Sequence, residues 1–163
     1  MSSIDVVIET PKGSAQKYDF DQEERLFKLK KILPSGMVFP YDFGFIPRTE
    51  GEDGDPLDVI VISEFQSSPG IMIKCRLLGG ICAEQSEGKK GSKMVRNDRF
   101  LAVPKCSTMF GKFRSVKDIP EQIFEELEAF FKEYNKLEGK KFKAIKKVGA
   151  EKAEVLISKG RKN

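Results

Sequence analysis

The residues of this sequence best suited to chemistry are the acidic side chains that crowd residues 50–58, which we call the acidic loop. The stretch reads EGEDGDPLD and runs directly into an apolar segment, residues 59–62. Its acids are Glu50, Glu52, Asp53, Asp55 and Asp58. A solvated turn explains the two glutamates. It does not explain Asp58, which would be partly desolvated at the edge of an apolar strand with no partner.

Two kinds of cation site compete for these carboxylates. A calcium loop of the EF-hand type requires a ligand at its fifth position and glycine at its sixth, and counting from Asp53 these positions are Leu57 and Asp58. A magnesium site fits better, because Mg²⁺ takes oxygen ligands and commonly bridges protein carboxylates to phosphate oxygens. Gly54 allows a sharp turn, so the three aspartates of the loop can converge on one point.

The absence of histidine excludes much catalytic chemistry. The chain has 163 residues and none of them is histidine. Ser-His-Asp and Cys-His catalysis, phosphohistidine intermediates and the usual zinc sites are therefore excluded. Any proton or metal chemistry must use carboxylates, lysines, tyrosines and water.

Cysteine usage and hydropathy favour a cytoplasmic protein. Cys75, Cys82 and Cys106 form no CxxC pair and are expected to be reduced thiols. No apolar run approaches the ~20 residues of a membrane span, and the N-terminus lacks a signal-peptide pattern, so no membrane partner is expected.

The net charge of +4 reflects many basic residues after position 139. Because no aromatic base-stacking motif accompanies them, a solvated surface is preferred to nucleic-acid contact.

The rest of the pattern predicts a single domain over residues 1–163, built first of short strands. The predicted strands cover residues 4–9, 17–20, 26–33, 37–39, 43–46, 59–62, 71–78, 79–83 and 100–103. Turn signals separate them, as in a small barrel.

The end of the chain is predicted to be helical. Asp118 resembles a helix cap, with Pro120 in the first turn, and Gly139 marks a stop. Between them, apolar residues recur at helical spacing: Ile123, Leu127, Phe130, Phe131, Tyr134 and Leu137. A second helix is predicted over residues 150–158.

The motif DGDPLD followed by an apolar strand resembles the signature of the family I soluble inorganic pyrophosphatases. The resemblance extends to VVIETPKGSAQKYDFD at 6–21, VFPYDFGFIP at 38–47, LAVP at 101–104 and FFKEYNKLEGKKFK at 130–143. These segments occur in the order expected of that family, so the resemblance covers most of the chain.

This resemblance implies a fold, a reaction and a cofactor. The implied fold is α+β and mainly β: a five-stranded OB-like barrel with flanking hairpins and two C-terminal helices. The implied reaction is hydrolysis of pyrophosphate to two phosphates by a water that Mg²⁺ ions activate, with Mn²⁺ a possible substitute because both suit oxygen ligands. The family resemblance also implies a homo-oligomer, a hexamer or a smaller assembly.

The resemblance assigns roles residue by residue. Asp55 matches the proposed general base for the attacking water. Asp53, Asp58 and Glu9 match metal-binding acids. Lys17 and Tyr134 match residues that contact phosphate.

This sequence departs from the family at the end of the strand that precedes LAVP. The family's Asp-Glu pair falls near Gln85 and Ser86, and its later aspartate falls at Asn97. We expect Asp98, helped by Glu84, to replace the missing carboxylates, since a one-residue bulge would re-aim the side chain.

Further departures lie at the phosphate-binding residues. Asp19, assigned to the metal, is one methylene shorter than the family's glutamate. Lys31 stands where the family has an arginine, and Arg99 stands where it has a lysine. Family hydroxyls and a lysine are replaced by Phe39, Phe43 and Asn135. These replacements leave open the alternative that the protein hydrolyses another phosphoanhydride. The remaining alternative is a metal-dependent OB-type protein with little activity that binds polyphosphate or nucleic acid.

Overall fold

A computed structural model describes residues 3–86 and 93–163. Its strands are β1 (Ser3–Thr10), β2 (Gln16–Asp21), β3 (Leu26–Ile32), β4 (Asp42–Phe45), β5 (Asp58–Val61), β6 (Met72–Ser86), β7 (Met94–Arg96), β8 (Arg99–Pro104) and β9 (Phe142–Gly149). Its helices are α1 (Glu121–Leu137) and α2 (Ala150–Gly160). The prediction of an α+β, mainly β fold is confirmed.

Five strands close into a ring in the order β1-β4-β5-β8-β6, and β6 pairs back with β1. This ring is the predicted OB-like barrel. All its neighbouring strands are antiparallel except β5 and β8, which run parallel with Asp58 opposite Arg99. That register places an acid and a base side by side at the start of two buried strands.

The two helices cover separate apolar clusters. Ala153 and Ile157 of α2 pack on the inner residues of β1, β5 and β6. Phe124, Leu127 and Phe131 of α1 pack on the other side of β5, β6 and β8. The predicted apolar stripe is therefore core packing, and it fixes α1 with Tyr134 near the ring.

A separate hairpin, formed by β2 and β3, stands beside the ring. It is attached to β1 by three hydrogen bonds: Phe20 N donates to Glu9 Oε2 (2.9 Å), Thr10 Oγ1 donates to Tyr18 O (3.0 Å), and Tyr18 N donates to Thr10 Oγ1 (3.2 Å). The hairpin carries four charged residues that matter below: Lys17, Asp19, Lys30 and Lys31.

Several sequence-based boundaries need correction. The two strands predicted over 71–83 are one strand, β6, whose register shifts between Leu77 and Gly79. Residues 37–39 form no strand. Asp118 does not cap α1; its carboxylate accepts the N–H groups of Arg114 and Ser115 and closes a 3-10 turn that precedes the helix. No helix in the described residues is long and apolar enough to cross a membrane.

Candidate active site

A cavity of about 200 Å³ lies between the hairpin, the acidic loop and the end of α1. Acids and bases share its wall. Its charged and phenolic lining residues are Glu9, Lys17, Asp19, Lys30, Asp53, Asp55, Asp58, Arg99, Tyr134, Glu138 and Lys140. The structure thus brings together eight of the eleven site residues predicted from the sequence.

The acidic loop is a tight turn held by its own backbone. Gly51 N donates to Asp55 O (2.8 Å), and Asp55 N donates to the Asp53 carboxylate (3.1 Å). Gly54 has a φ of 85°, which favours glycine. Among the described residues, no three Asp, Glu, Cys or His side chains lie close enough together to hold a metal ion. The three aspartates share the cavity without meeting at one point.

Burial disfavours the ionised form of three carboxylates of this cavity, those of Asp58, Glu9 and Asp53. It raises the pKa of Asp58 to about 7 from an ordinary value of 3.8, while Arg99 acts in the opposite direction. Burial also raises the pKa values of Glu9 and Asp53. A cation bound among these groups would offset the cost of their negative charge. Oxygen donors of this kind fit a hard divalent cation.

Arg99 is a buried cation with a fixed orientation. Its Nη1 donates to Asn97 O (2.6 Å) and its Nη2 to Gln85 Oε1 (2.8 Å). The guanidinium lies over the ring of Phe131, 4.6 Å from the ring centroid. Facing the carboxylate of Asp58, it supplies a permanent positive charge to this wall of the cavity.

The hairpin places two lysines around one carboxylate. Lys17 Nζ lies 2.9 Å from one oxygen of Asp19, and Lys30 Nζ lies 3.0 Å from the other. Although burial acts in the opposite direction, these two lysines lower the pKa of Asp19. Asp19 therefore orients two cations towards the cavity. Lys30 was missed by the sequence analysis, although the alternation of β3 would put it on the opposite face from Lys31.

Lys31 does not line the cavity. It pairs with Glu138, and its Nζ lies 3.8 Å from the centroid of the Tyr134 ring. Lys31 therefore acts through two residues that do line it. Glu138 and Lys140, just past α1, were also missed, because nothing local distinguishes them from an ordinary charged helix end.

Asp98 and Glu84 lie outside this cavity, contrary to the expectation that Asp98 turns into it. Both oxygens of Asp98 accept N–H groups of Arg96, and one also accepts Ala83 N (3.1 Å). Glu84 lies opposite Arg96 in the β6–β7 pairing. Gln85 and Asn97 line the cavity instead, so the missing carboxylates are not replaced there.

A carboxylate placed at Asn97 is expected to raise cation affinity. The backbone of Asn97 is held by its N–H bond to Ala83 O (2.9 Å) and by Arg99, so Asn97→Asp changes charge without moving the chain. We expect about tenfold tighter Mn²⁺ binding in isothermal titration, since ligand charge sets affinity. Gln66→Asp, on an exposed loop residue, is the matched control. Equal affinities for the two variants would contradict the prediction.

The closed ring and its cavity together define the class, a small OB-like barrel with a cavity lined by acidic and basic side chains. The family model for inorganic pyrophosphatase matches residues 6–163. The inorganic pyrophosphatase of Saccharolobus solfataricus is 40% identical over 144 residues, which are 87% of this chain and 80% of that protein. The crystal structure of the Thermus thermophilus inorganic pyrophosphatase has a TM-score of 0.86 and 30% identity, covering 96% of this chain and 87% of that one. The chain belongs to the inorganic pyrophosphatase family.

Another relative matches over nearly the full length. The inorganic pyrophosphatase of Leifsonia xyli is 38% identical over 161 residues, 98% of this chain and 94% of that protein. The structure from Coxiella burnetii has a TM-score of 0.87 at 29% identity. The similarity therefore includes both the hairpin and the two helices.

Proposed function

We propose that this protein hydrolyses inorganic pyrophosphate to two phosphates. One observation carries the proposal: a single cavity holds Asp53, Asp55 and Asp58 together with Lys17 and Arg99. A cavity lined in this way can neutralise a polyanion with its positive charges and still keep a carboxylate free to accept a proton. Family membership supports the same reaction.

Asp53, Asp58 and Glu9 would hold the metal, which we propose to be Mg²⁺ or, in its place, Mn²⁺. These three side chains need not meet at one point, because Mg²⁺ usually takes only one or two protein carboxylates and keeps several waters. When bound, the metal supplies positive charge to the substrate and lowers the pKa of a water. The partly buried carboxylates suit this role because a cation removes the cost of ionising them.

The protein's own residues would bind the substrate and move one proton. Lys17, Lys30 and Arg99 bind phosphate oxygens. Burial raises the pKa of Tyr134, so its phenol stays protonated and donates a hydrogen bond. The water oxygen attacks one phosphorus as the bridging P–O bond breaks, and Asp55, which is exposed to the cavity, accepts the water's proton.

The test is phosphate release from magnesium pyrophosphate, set beside ATP and tripolyphosphate, for the wild type and Asp55→Asn. We expect release from pyrophosphate alone and at least about a 100-fold loss in the variant, the scale of general-base catalysis. Asp5→Asn is the control, because Asp5 lies on β1 outside the cavity and pairs with the exposed Lys74.

The other outcomes separate the alternatives. Equal release from all three compounds would extend the substrate to phosphoanhydrides in general. No release from pyrophosphate by a chain that still binds Mn²⁺ would refute the proposed function.

Two further proposals concern the state of the protein in the cell. We propose a homo-oligomer, supported by the family resemblance and tested by light scattering. We also propose a cytoplasmic location, supported by three free cysteines, two of them buried, and tested by cell fractionation.

A further inference from the structure

The acidic loop has a cavity on each of its two faces. Asp53 and Pro56 line the active-site cavity and also a second cavity of about 300 Å³, on the side of α2. On the side of α2, Asp53 therefore faces a cavity and is not packed against the apolar core. The position of the loop must be determined largely by contacts at its two ends, near Glu50 and Leu57.

The residues at the end of α2 make those contacts. Glu50 N donates to Gly160 O (2.7 Å) and Lys162 N donates to Arg48 O (2.9 Å). Arg161 forms an isolated antiparallel bridge with Thr49, and Lys162 pairs with the carboxylate of Glu50. Residues 160–162, which we call the 160–162 segment, thus lie along the start of the acidic loop like an added strand.

Thr49 joins the start of the loop to its end. Its side chain is buried, its Oγ1 donates to Ile46 O (2.6 Å), and Leu57 N donates to it (3.0 Å). The residue that pairs with the 160–162 segment therefore also closes the base of the acidic loop.

Gly160 is a position where even one methyl group would disturb the loop. A Cβ there would lie 2.8 Å from Leu57 Cδ1 and 3.0 Å from Glu50 O, at both ends of the loop. The side chain of Leu57 can move, but the carbonyl of Glu50 can shift only with the backbone that carries Asp53 and Asp55.

We infer that Thr49 and the 160–162 segment are positioning residues for the cation-binding aspartates. They touch neither substrate nor cation; they set where the acidic loop stands between its two cavities. This inference rests on the proposed function only in assigning a divalent cation to the loop. Cation affinity should therefore respond to a contact made outside the active-site cavity.

The first test compares two glycine substitutions in full-length protein by isothermal titration with Mn²⁺. Gly160→Ala should weaken Mn²⁺ binding about tenfold, the lower end of what supporting residues of metal sites contribute. Gly149→Ala, at the other end of α2, is the control because nothing lies within 4 Å of its Cβ. Equal affinities for the two variants would overturn the inference.

A second pair of variants covers the case in which Gly160→Ala perturbs α2 itself. Thr49→Val keeps the shape of the side chain but removes the acceptor of Leu57 N–H, and Thr49→Ser retains it. We expect Thr49→Val to weaken Mn²⁺ binding severalfold and to raise KM for magnesium pyrophosphate, with Thr49→Ser close to the wild type. An unchanged Mn²⁺ affinity in Thr49→Val would contradict the inference.

These results can be separated from failure of the proposed function. A wild-type chain that binds Mn²⁺ without releasing phosphate refutes the hydrolytic activity, yet a weaker affinity in Gly160→Ala would still support the positioning role. Conversely, active protein with normal Mn²⁺ affinity in Gly160→Ala and Thr49→Val refutes the positioning role alone.

Discussion

Asp58→Asn is expected to stabilise the metal-free protein at pH 8 by about 1–3 kcal/mol while reducing phosphate release at least about 100-fold. The two effects have one cause. Burial raises the pKa of Asp58 to about 7. Ionising this carboxylate therefore costs free energy in the folded chain but not in the unfolded chain. The same ionised carboxylate is the one proposed to hold the cation.

The sign of the pH dependence follows from the two pKa values. Between pH 4 and 7 the folded state keeps a proton on Asp58 that the unfolded state, with its ordinary pKa of 3.8, has already lost. The contribution of this group to stability therefore falls as the pH rises through that window, and above it the full cost remains. Asparagine removes this cost, so the gain in stability of Asp58→Asn over the wild type should be large at pH 8 and vanish towards pH 4.

Urea denaturation in EDTA at pH 4, 6 and 8 measures the change in stability. Phosphate release from magnesium pyrophosphate measures the loss of activity. Asp118→Asn is a control of opposite sign, because backbone N–H groups lower the pKa of Asp118 and its ionised form stabilises the fold. That variant should lose stability at pH 8 and keep full turnover. No gain in stability for Asp58→Asn at pH 8 would show that Asp58 is well solvated in the folded protein.

Much of the fold could be predicted because apolar periodicity is a local property. Strands β1, β5 and β8 alternate or run apolar, and α1 carries a stripe at helical spacing, so each was identified within a residue or two. Strand β9 was not found because most of its side chains are exposed and it has no alternating pattern to detect. It is specified by its pairing with β6, a tertiary contact.

The candidate site was predictable where one segment contains it and not where separate segments meet. The acidic loop is a contiguous motif, and all its aspartates line the cavity. The direction of Asp98 depends on Arg96, which takes both of its oxygens, and on the Ala83 N–H across the sheet. Such competition for a carboxylate is decided by three-dimensional proximity, which residue type and spacing do not report.

The second large effect is expected for Arg99→Met, which should lower kcat/KM for pyrophosphate about 100- to 1000-fold, as loss of a fixed charge-stabilising donor does in other enzymes. It should also move the acidic limb of the pH profile upwards by about one pH unit. The guanidinium lowers the pKa of Asp58, so its removal raises that pKa further and delays ionisation to higher pH.

Arg99→Lys separates charge from geometry. It keeps the positive charge facing Asp58 but loses the paired bonds to Asn97 and Gln85 and the stacking on Phe131. The lysine variant should therefore retain the wild-type acidic limb with a reduced rate, whereas the methionine variant should change both. Identical acidic limbs in the two variants would mean that Arg99 does not influence Asp58 through its charge.

The distinction matters because Asp58 and Arg99 are register partners in the one parallel strand pair of the ring. Each begins its strand, so the backbone holds the two charges side by side without a direct hydrogen bond between them. Arg99 is buried and Asp58 is partly buried, so water screens the interaction between their charges less than it would at the surface. Barrel register, rather than any flexible side-chain contact, would then determine the pH at which the carboxylate becomes available to a cation.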